Sequence, residues 1–189
     1  MLSYKHGYHA GNQADVLKHI CLIQAYKSLK RHHKSISYID THAGSGDYNF
    51  KSDYMSKNKE YENGITKLES YKYENQSIKF YLKVLRNINN SKKMTFYPGS
   101  PSIISHLSDS SDKLLFYELH NNEVQLLRKH LAKQINSKIY NKDGFEFFLQ
   151  KINPKEKTLV LIDPSYEIKD DFEKVVKTLK ILDEEYENV

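Results

Sequence analysis

Residues 158–166 read TLVLIDPSY. Leu159, Val160, Leu161 and Ile162 run together without alternation and deliver an aspartate into a proline turn that carries a tyrosine. A short apolar run that does not alternate is expected to be a strand covered on both faces, the pattern of a parallel sheet. Pro164 ends it, because its ring removes an N–H and fixes φ. A carboxylate at the carboxyl end of such a strand stands where open α/β sheets take their ligands. A plain Asp-Pro turn has the same letters, so the rest of the chain must decide between the two.

Three further stretches share the form of a strand that ends in a special residue. Residues 35–42, SISYIDTH, read as the first strand, with Asp40 near its end and the glycine turn Ala43-Gly44-Ser45-Gly46 behind it. Glycines there let the backbone approach a ligand closely. Residues 114–119, LLFYEL, read as the second strand and end near Glu118. Residues 137–140 read as the third, followed by Asn141-Lys142-Asp143-Gly144. Helical periodicity fills the gaps. Residues 11–31 carry Val16, Ile20, Ile23 and Tyr26 at helical spacing, with Asn12 as N-cap. Ser100 is expected to cap a short helix over 101–107 with Pro101 at its first position. Residues 121–134 place Val124, Leu127, Leu131 and Ile135 on one stripe, and a last helix over 171–187 is expected to turn Phe172, Val176, Leu179 and Leu182 inward.

Strands alternating with helices predict an α/β fold with a parallel sheet, and in a parallel sheet Asp40, Glu118, Asp143 and Asp163 fall on one edge. The interruption is residues 48–96, a polar, basic stretch with one helical stripe through Ile78, Tyr81, Leu82, Leu85 and Ile88. The expected organisation is a discontinuous core, 1–47 and 97–189, around an inserted helical subdomain, 48–96, too poor in apolar residues to fold alone.

Composition narrows the partners. No apolar run approaches membrane-spanning length, and the first residues lack the apolar core of a secretory signal, so a cytoplasmic protein is expected. Residues 1–34 carry six Lys/Arg against Asp15 alone, and 51–93 carry ten against five Asp/Glu, a distribution suited to a polyanion. The single cysteine, Cys21, reads as a small buried hydrophobe. His6 and His9 lack companion ligands at zinc spacing; a loop that touches substrate is the better use of them, and no metal is expected.

The acid after the second strand suits ribose hydroxyls, Asp143-Gly144 an adenine edge, and the glycine loop the rest of a nucleoside. Dehydrogenases and methyltransferases share that logic, and the last strand separates them. Asp163-Pro164-Ser165-Tyr166 resembles the (Asn/Asp)-Pro-Pro-(Tyr/Phe) motif of amino-methyltransferases that use S-adenosyl-L-methionine on adenine N6 or cytosine N4. An exocyclic amine is a poor nucleophile because its lone pair is delocalised into the ring. Asp163 and the Pro164 carbonyl would accept its two N–H bonds, Asp163 would take the proton, and Tyr166 would stack on a flipped base.

Beyond that motif, Met1-Leu2-Ser3-Tyr4, His9-Ala10-Gly11-Asn12, residues 14–19 (ADVLKH), Asp40-Thr41-His42-Ala43-Gly44, Tyr97-Pro98-Gly99-Ser100-Pro101, Glu118-Leu119-His120 and Asp143-Gly144 resemble the RlmJ family. The resemblance implies a Rossmann-like class I S-adenosylmethionine-dependent methyltransferase fold with an inserted helical subdomain. It implies methylation of adenosine N6 in 23S ribosomal RNA by a monomer. It implies cofactor contacts from His19, His42, Ser100, Glu118, Asp143 and Gly144, catalysis by Asp163, an RNA contact from Tyr4, and Lys18 near the active site. Two departures stand out. Ser165 replaces the second proline, which leaves that backbone freer and is expected to lower activity. The family fold continues past the last helix, so a C-terminal truncation is expected, with 159–162 as a sheet edge. The alternatives are a non-catalytic nucleic-acid-binding remnant and a DNA adenine-N6 methyltransferase.

Overall fold

A computed structural model describes residues 5–189. The Tyr4 expectation lies outside the described residues. Four parallel strands form the central sheet: β1 (Ser37–Asp40), β4 (Lys113–Tyr117), β5 (Ser137–Tyr140) and β6 (Thr158–Leu161), in the order β5-β4-β1-β6. Ile39 of β1 lies level with Leu115 on one side and Val160 on the other. Because successive side chains point to opposite faces, the strands feed two cores. Tyr38, Leu114 and Phe116 face α1 (Gln13–Lys30), α5 (Ser100–Leu107) and α6 (Asn121–His130), where Leu22, Tyr26, Ile104 and Leu127 meet them. Ile39, Leu115 and Tyr117 face Phe148, Ile152 and Leu182, the last from α8 (Asp170–Glu185). Covering both faces is what lets the central strands bury side chains on both of their faces. This is the expected Rossmann-like α/β arrangement.

The stretch after the glycine turn holds elements that period counting did not reveal. Short strands β2 (Asp47–Asn49) and β3 (Phe96–Pro98) pair antiparallel, Tyr48 opposite Tyr97. Between them lie α2 (Asp53–Asn58), a 3-10 turn (Glu60–Glu62), α3 (Ile65–Ser70) and α4 (Gln76–Asn89). The α4 stripe lands as expected, with Tyr81 and Leu85 fully buried. Its core is completed by Ala10, Ile23 and Ile103 from outside the stretch, which supplies the apolar surface the segment lacks. Gly64 packs so tightly on Gly11 and Asn12 that a Cβ there would collide with their backbone.

Several local expectations need correction. Cys21 is exposed, because α1 buries His19, Leu22, Ile23 and Tyr26 and turns Cys21 outward. Gly99, not Ser100, is the N-cap of α5; Ser100 is the first helical residue and its hydroxyl goes elsewhere. The sixth helix stops at His130, and Ile135 stands beyond it, 91% exposed. On α8 only Leu182 of the expected stripe is buried, while Phe172, Val176 and Leu179 are exposed. The buried set there is Asp171, Thr178 and Leu182, a stripe turned away from the most apolar one. The strand 158–161 is half-buried rather than covered on both faces, because it lies at the sheet edge expected for it, with β1 its one neighbour among the described residues.

Candidate functional site

The parallel arrangement brings the carboxyl ends of the four strands to one edge, and a cleft of about 1100 Å³ opens there. Glu118, Asp143 and Asp163 line it, together with Lys18, His19, His42, Ser100 and Gly144. Asp40 does not. It lies beneath the floor, fully buried, accepting hydrogen bonds from Ser100 Oγ at 2.7 Å, Tyr38 OH at 3.0 Å and the His42 N–H at 3.2 Å. Burial pushes its carboxyl up to about 6, against the pull of those three bonds. Asp40 therefore braces the floor, and Ser100 is pinned by it.

Each cleft residue is set by its strand end. Glu118 follows β4, and its carboxylate accepts the Gly44 N–H at 2.8 Å and the His120 N–H at 2.7 Å. Burial raises this carboxyl, and the two backbone bonds oppose the rise. Gly44 has φ of 61°, a conformation that favours glycine. A side chain there would run into the Tyr48 hydroxyl. Asp143 follows β5 and caps α7 (Gly144–Phe147), accepting from the Phe145 N–H at 2.8 Å. A Cβ on Gly144 would collide with the Thr41 carbonyl oxygen. The turns after β1 and β6 are also tied, because the Thr41 N–H donates to the Leu161 carbonyl at 3.1 Å. The His42 ring meets the Phe145 ring at 4.9 Å in an edge arrangement.

His19 is buried on α1. Its Nδ1 pairs with Tyr97 OH at 2.7 Å, and its Nε2 meets no hydrogen-bond partner among the described residues. Burial, with Lys18 beside it, lowers its pKa to about 3, so the ring is neutral near pH 7.

A second cleft of about 810 Å³ adjoins the first. The two share His6, Lys18, Asp163, Pro164 and Ser165, and Tyr166 and Glu167 line the second alone. Tyr166 has φ of 56°, a left-handed backbone uncommon for an aromatic residue. Its half-exposed ring lies 4.8 Å from that of Phe172. Between the clefts runs a charged chain. Lys18 Nζ stands 2.6 Å from Asp163 Oδ2 and 2.7 Å from Asp15 Oδ1. Asp15 is buried and also holds His6 Nε2 at 3.0 Å and the Gly11 N–H at 2.8 Å. Burial alone would lower the Lys18 ammonium, but the two carboxylates outweigh it and hold it above the usual lysine range. Burial alone would likewise raise Asp15, but His6 and Lys18 hold it well below the usual carboxylate range.

The sequence placed Lys18 and Asp163 together only through the family resemblance; it gave no role to Asp15 or Phe145, and to His6 only a place in a loop that touches substrate. Asp15 carried one signal, an acid three residues before a lysine on one helix face. His6 pairs with Asp15 and His9 Nδ1 with Glu60 at 2.8 Å, and among the described residues no group of three His, Cys, Asp or Glu could hold a metal ion. No helix among them is long and apolar enough to cross a membrane.

The family described as Ribosomal RNA large subunit methyltransferase D, RlmJ matches residues 33–187. The chain is 40% identical over 182 residues to Ribosomal RNA large subunit methyltransferase J of Haemophilus influenzae and 38% identical over 177 residues to the protein of that name from Escherichia coli K12. Those matches cover 95% and 93% of this chain, but only 65% and 63% of the two relatives. A crystal structure of protein LPL1258 from Legionella pneumophila superposes with a TM-score of 0.78 at 34% identity, covering 91% of this chain and 64% of that one.

Proposed function

The chain belongs to the RlmJ family, and we propose on that footing that it transfers a methyl group from S-adenosyl-L-methionine to the N6 amine of an adenosine in 23S ribosomal RNA. The observation that carries this reading is the meeting of two clefts at Asp163 and Pro164. A transfer between two bound molecules needs two adjoining sites and a shared wall that can accept an amine's protons.

The residues of the cleft at the strand ends fit the cofactor. Glu118 suits the ribose hydroxyls. Asp143 and the Phe145 ring suit the adenine amine and its face. His19 Nε2, buried in the lining with an unused hydrogen-bonding capacity, suits a polar group of the amino-acid end. The close packing at Gly44 and Gly144 leaves backbone rather than side chain facing the ligand. When bound, S-adenosyl-L-methionine supplies an electrophilic methyl group on its sulfonium.

The chain's own residues prepare the other reactant. Asp163 accepts one N–H bond of the adenine amine and takes its proton, and the Pro164 carbonyl accepts the other, which directs the nitrogen lone pair out of the ring system. Tyr166 stacks on the base in the second cleft. Lys18 fixes the direction of the Asp163 carboxylate. The reading includes a monomer with an inserted helical subdomain over 48–96, and sulfonium chemistry requires no metal.

The test is transfer of tritium-labelled methyl groups to protein-free 23S ribosomal RNA, with duplex DNA in parallel. Asp163→Ala should lose at least about a hundredfold in rate. Equal labelling by wild type and variant would sink the role of Asp163, and labelling of DNA alone would move the substrate.

A further inference from the structure

Between the inserted stretch and the cleft mouth lies one aromatic and cationic cluster that the reaction above does not use. The 3-10 turn His6–Tyr8 rests on α2 where Gly7 lets the chain approach; a Cβ on it would lie 3.2 Å from Tyr54 Cβ. Lys5 Nζ donates to Tyr54 OH at 2.7 Å and stands 4.7 Å from that ring's centroid. The Tyr8 and Tyr54 rings meet edge to face at 5.1 Å, and Lys57 Nζ is 5.9 Å from the Tyr8 ring. Tyr54, Lys5 and Lys57 are all exposed. Among the described residues neither lysine forms an ion pair, and both side chains stand open to solvent. Lys5 and His6 also line the cleft that Asp163 lines, so the cluster continues the reaction site outward.

A base turned out of its strand leaves an unstacked neighbour on each side, and the phosphates that bracket it need cations close to the mouth of the cleft. The exposed Tyr54 and half-buried Tyr8, interleaved with exposed lysines, supply both needs. We propose that Lys5, Tyr8, Tyr54 and Lys57 form a subsite for the nucleotide next to the target adenosine in single-stranded RNA. Lys5 and Lys57 take phosphate charge. As Lys5 moves from the Tyr54 ring to a phosphate, it bares an aromatic face for the neighbouring base. The inserted stretch then has a stated use, since α2 supplies Tyr54 and Lys57. The inference rests on the RNA-substrate reading.

The experiment measures binding of the full chain to a fluorescein-labelled oligoadenylate by anisotropy over a range of salt, with cofactor binding by calorimetry on the same samples. Tyr54→Ala should weaken RNA binding about tenfold through lost stacking. Lys57→Ala should weaken it several-fold and reduce the slope of log affinity against log salt by roughly 0.7. Tyr54→Phe should bind RNA within about twofold of wild type, because it keeps the ring. S-adenosyl-L-methionine affinity should be unchanged in all three. Wild-type RNA affinity and salt slope in both alanine variants would overturn the subsite and leave the functional reading standing. Cofactor binding without any RNA binding by the wild type would overturn the RNA substrate, and the subsite with it.

Discussion

Lys18 Nζ and Asp163 Oδ2 stand 2.6 Å apart, joining the first helix to the end of the last strand across 145 residues of sequence. The ammonium is aimed from behind by Asp15, itself held by the Gly11 N–H and His6. Asp163 is half-exposed and would otherwise be free to rotate toward solvent. Lys18→Met keeps much of the bulk and removes the charge. It should lower the methyl-transfer rate about a hundredfold and leave cofactor affinity within about threefold, read by tritium transfer and calorimetry. A wild-type rate in the variant would remove Lys18 from the account.

Glu118 connects the second strand to the glycine turn by accepting two backbone N–H groups. Truncation leaves both donors without their acceptor and takes away the carboxylate offered to the ribose. Hydrogen bonds to charged groups contribute about 1.5–3 kcal/mol each, so Glu118→Ala should weaken S-adenosyl-L-methionine binding by at least about tenfold. Calorimetry against wild type decides it, and an unchanged affinity would place the ribose elsewhere.

Gly144 has no room for a side chain against the Thr41 carbonyl. Gly144→Ala must separate the turns after β1 and β5. Overpacking of this kind costs about 1–3 kcal/mol, which should appear as a lower urea midpoint with an unchanged slope. The same separation should weaken cofactor binding. A midpoint equal to wild type would show that the two turns part without cost.

Asp40 makes the stability pH-dependent in a direction opposite to a surface carboxylate. Its folded pKa is raised to about 6 by burial, above the ordinary value of 3.8, so the native state holds the proton more tightly than the unfolded chain does. Ionisation of Asp40 therefore costs stability above pH 6, and that cost fades as the pH falls through 6 toward 4. Asp40→Asn keeps the shape without the charge. The stability of the variant relative to wild type should fall by about 2 kcal/mol between pH 7.5 and pH 4.5, measured by urea unfolding at the two values. A constant difference would mean that Asp40 does not titrate in this range.

How much of this was legible before folding depended on the kind of residue. The apolar runs of β4 and β6 announced their strands because four aliphatic and aromatic residues in sequence have few other uses, and β1 announced itself by Ile36, Tyr38 and Ile39 ahead of a glycine turn. Asn12 declared its cap, and accepts the Asp15 N–H at 3.0 Å. The ribbon of β2 and β3 stayed hidden, since three-residue strands are too short for any period to show. The face of α8 was misread for a different reason. Phe172, Val176 and Leu179 form its most apolar stripe, yet the residues that helix buries are Asp171, Thr178 and Leu182.

The sequence by itself determined a parallel sheet whose strands end in acids, and with it the edge at which Glu118, Asp143 and Asp163 would meet. Strand type and direction follow from local composition and from the crossover rule, and neither needs distant contacts. Only the tertiary structure decided that Asp40 goes under the floor while its counterparts line the cleft. Only it decided that Ser100 serves Asp40 rather than a helix end, and that Asp15 and His6 stand behind the Lys18–Asp163 pair. Those assignments depend on which side chain reaches which partner across tens of residues, and burial and hydrogen-bond competition settle that only when all the elements are in place.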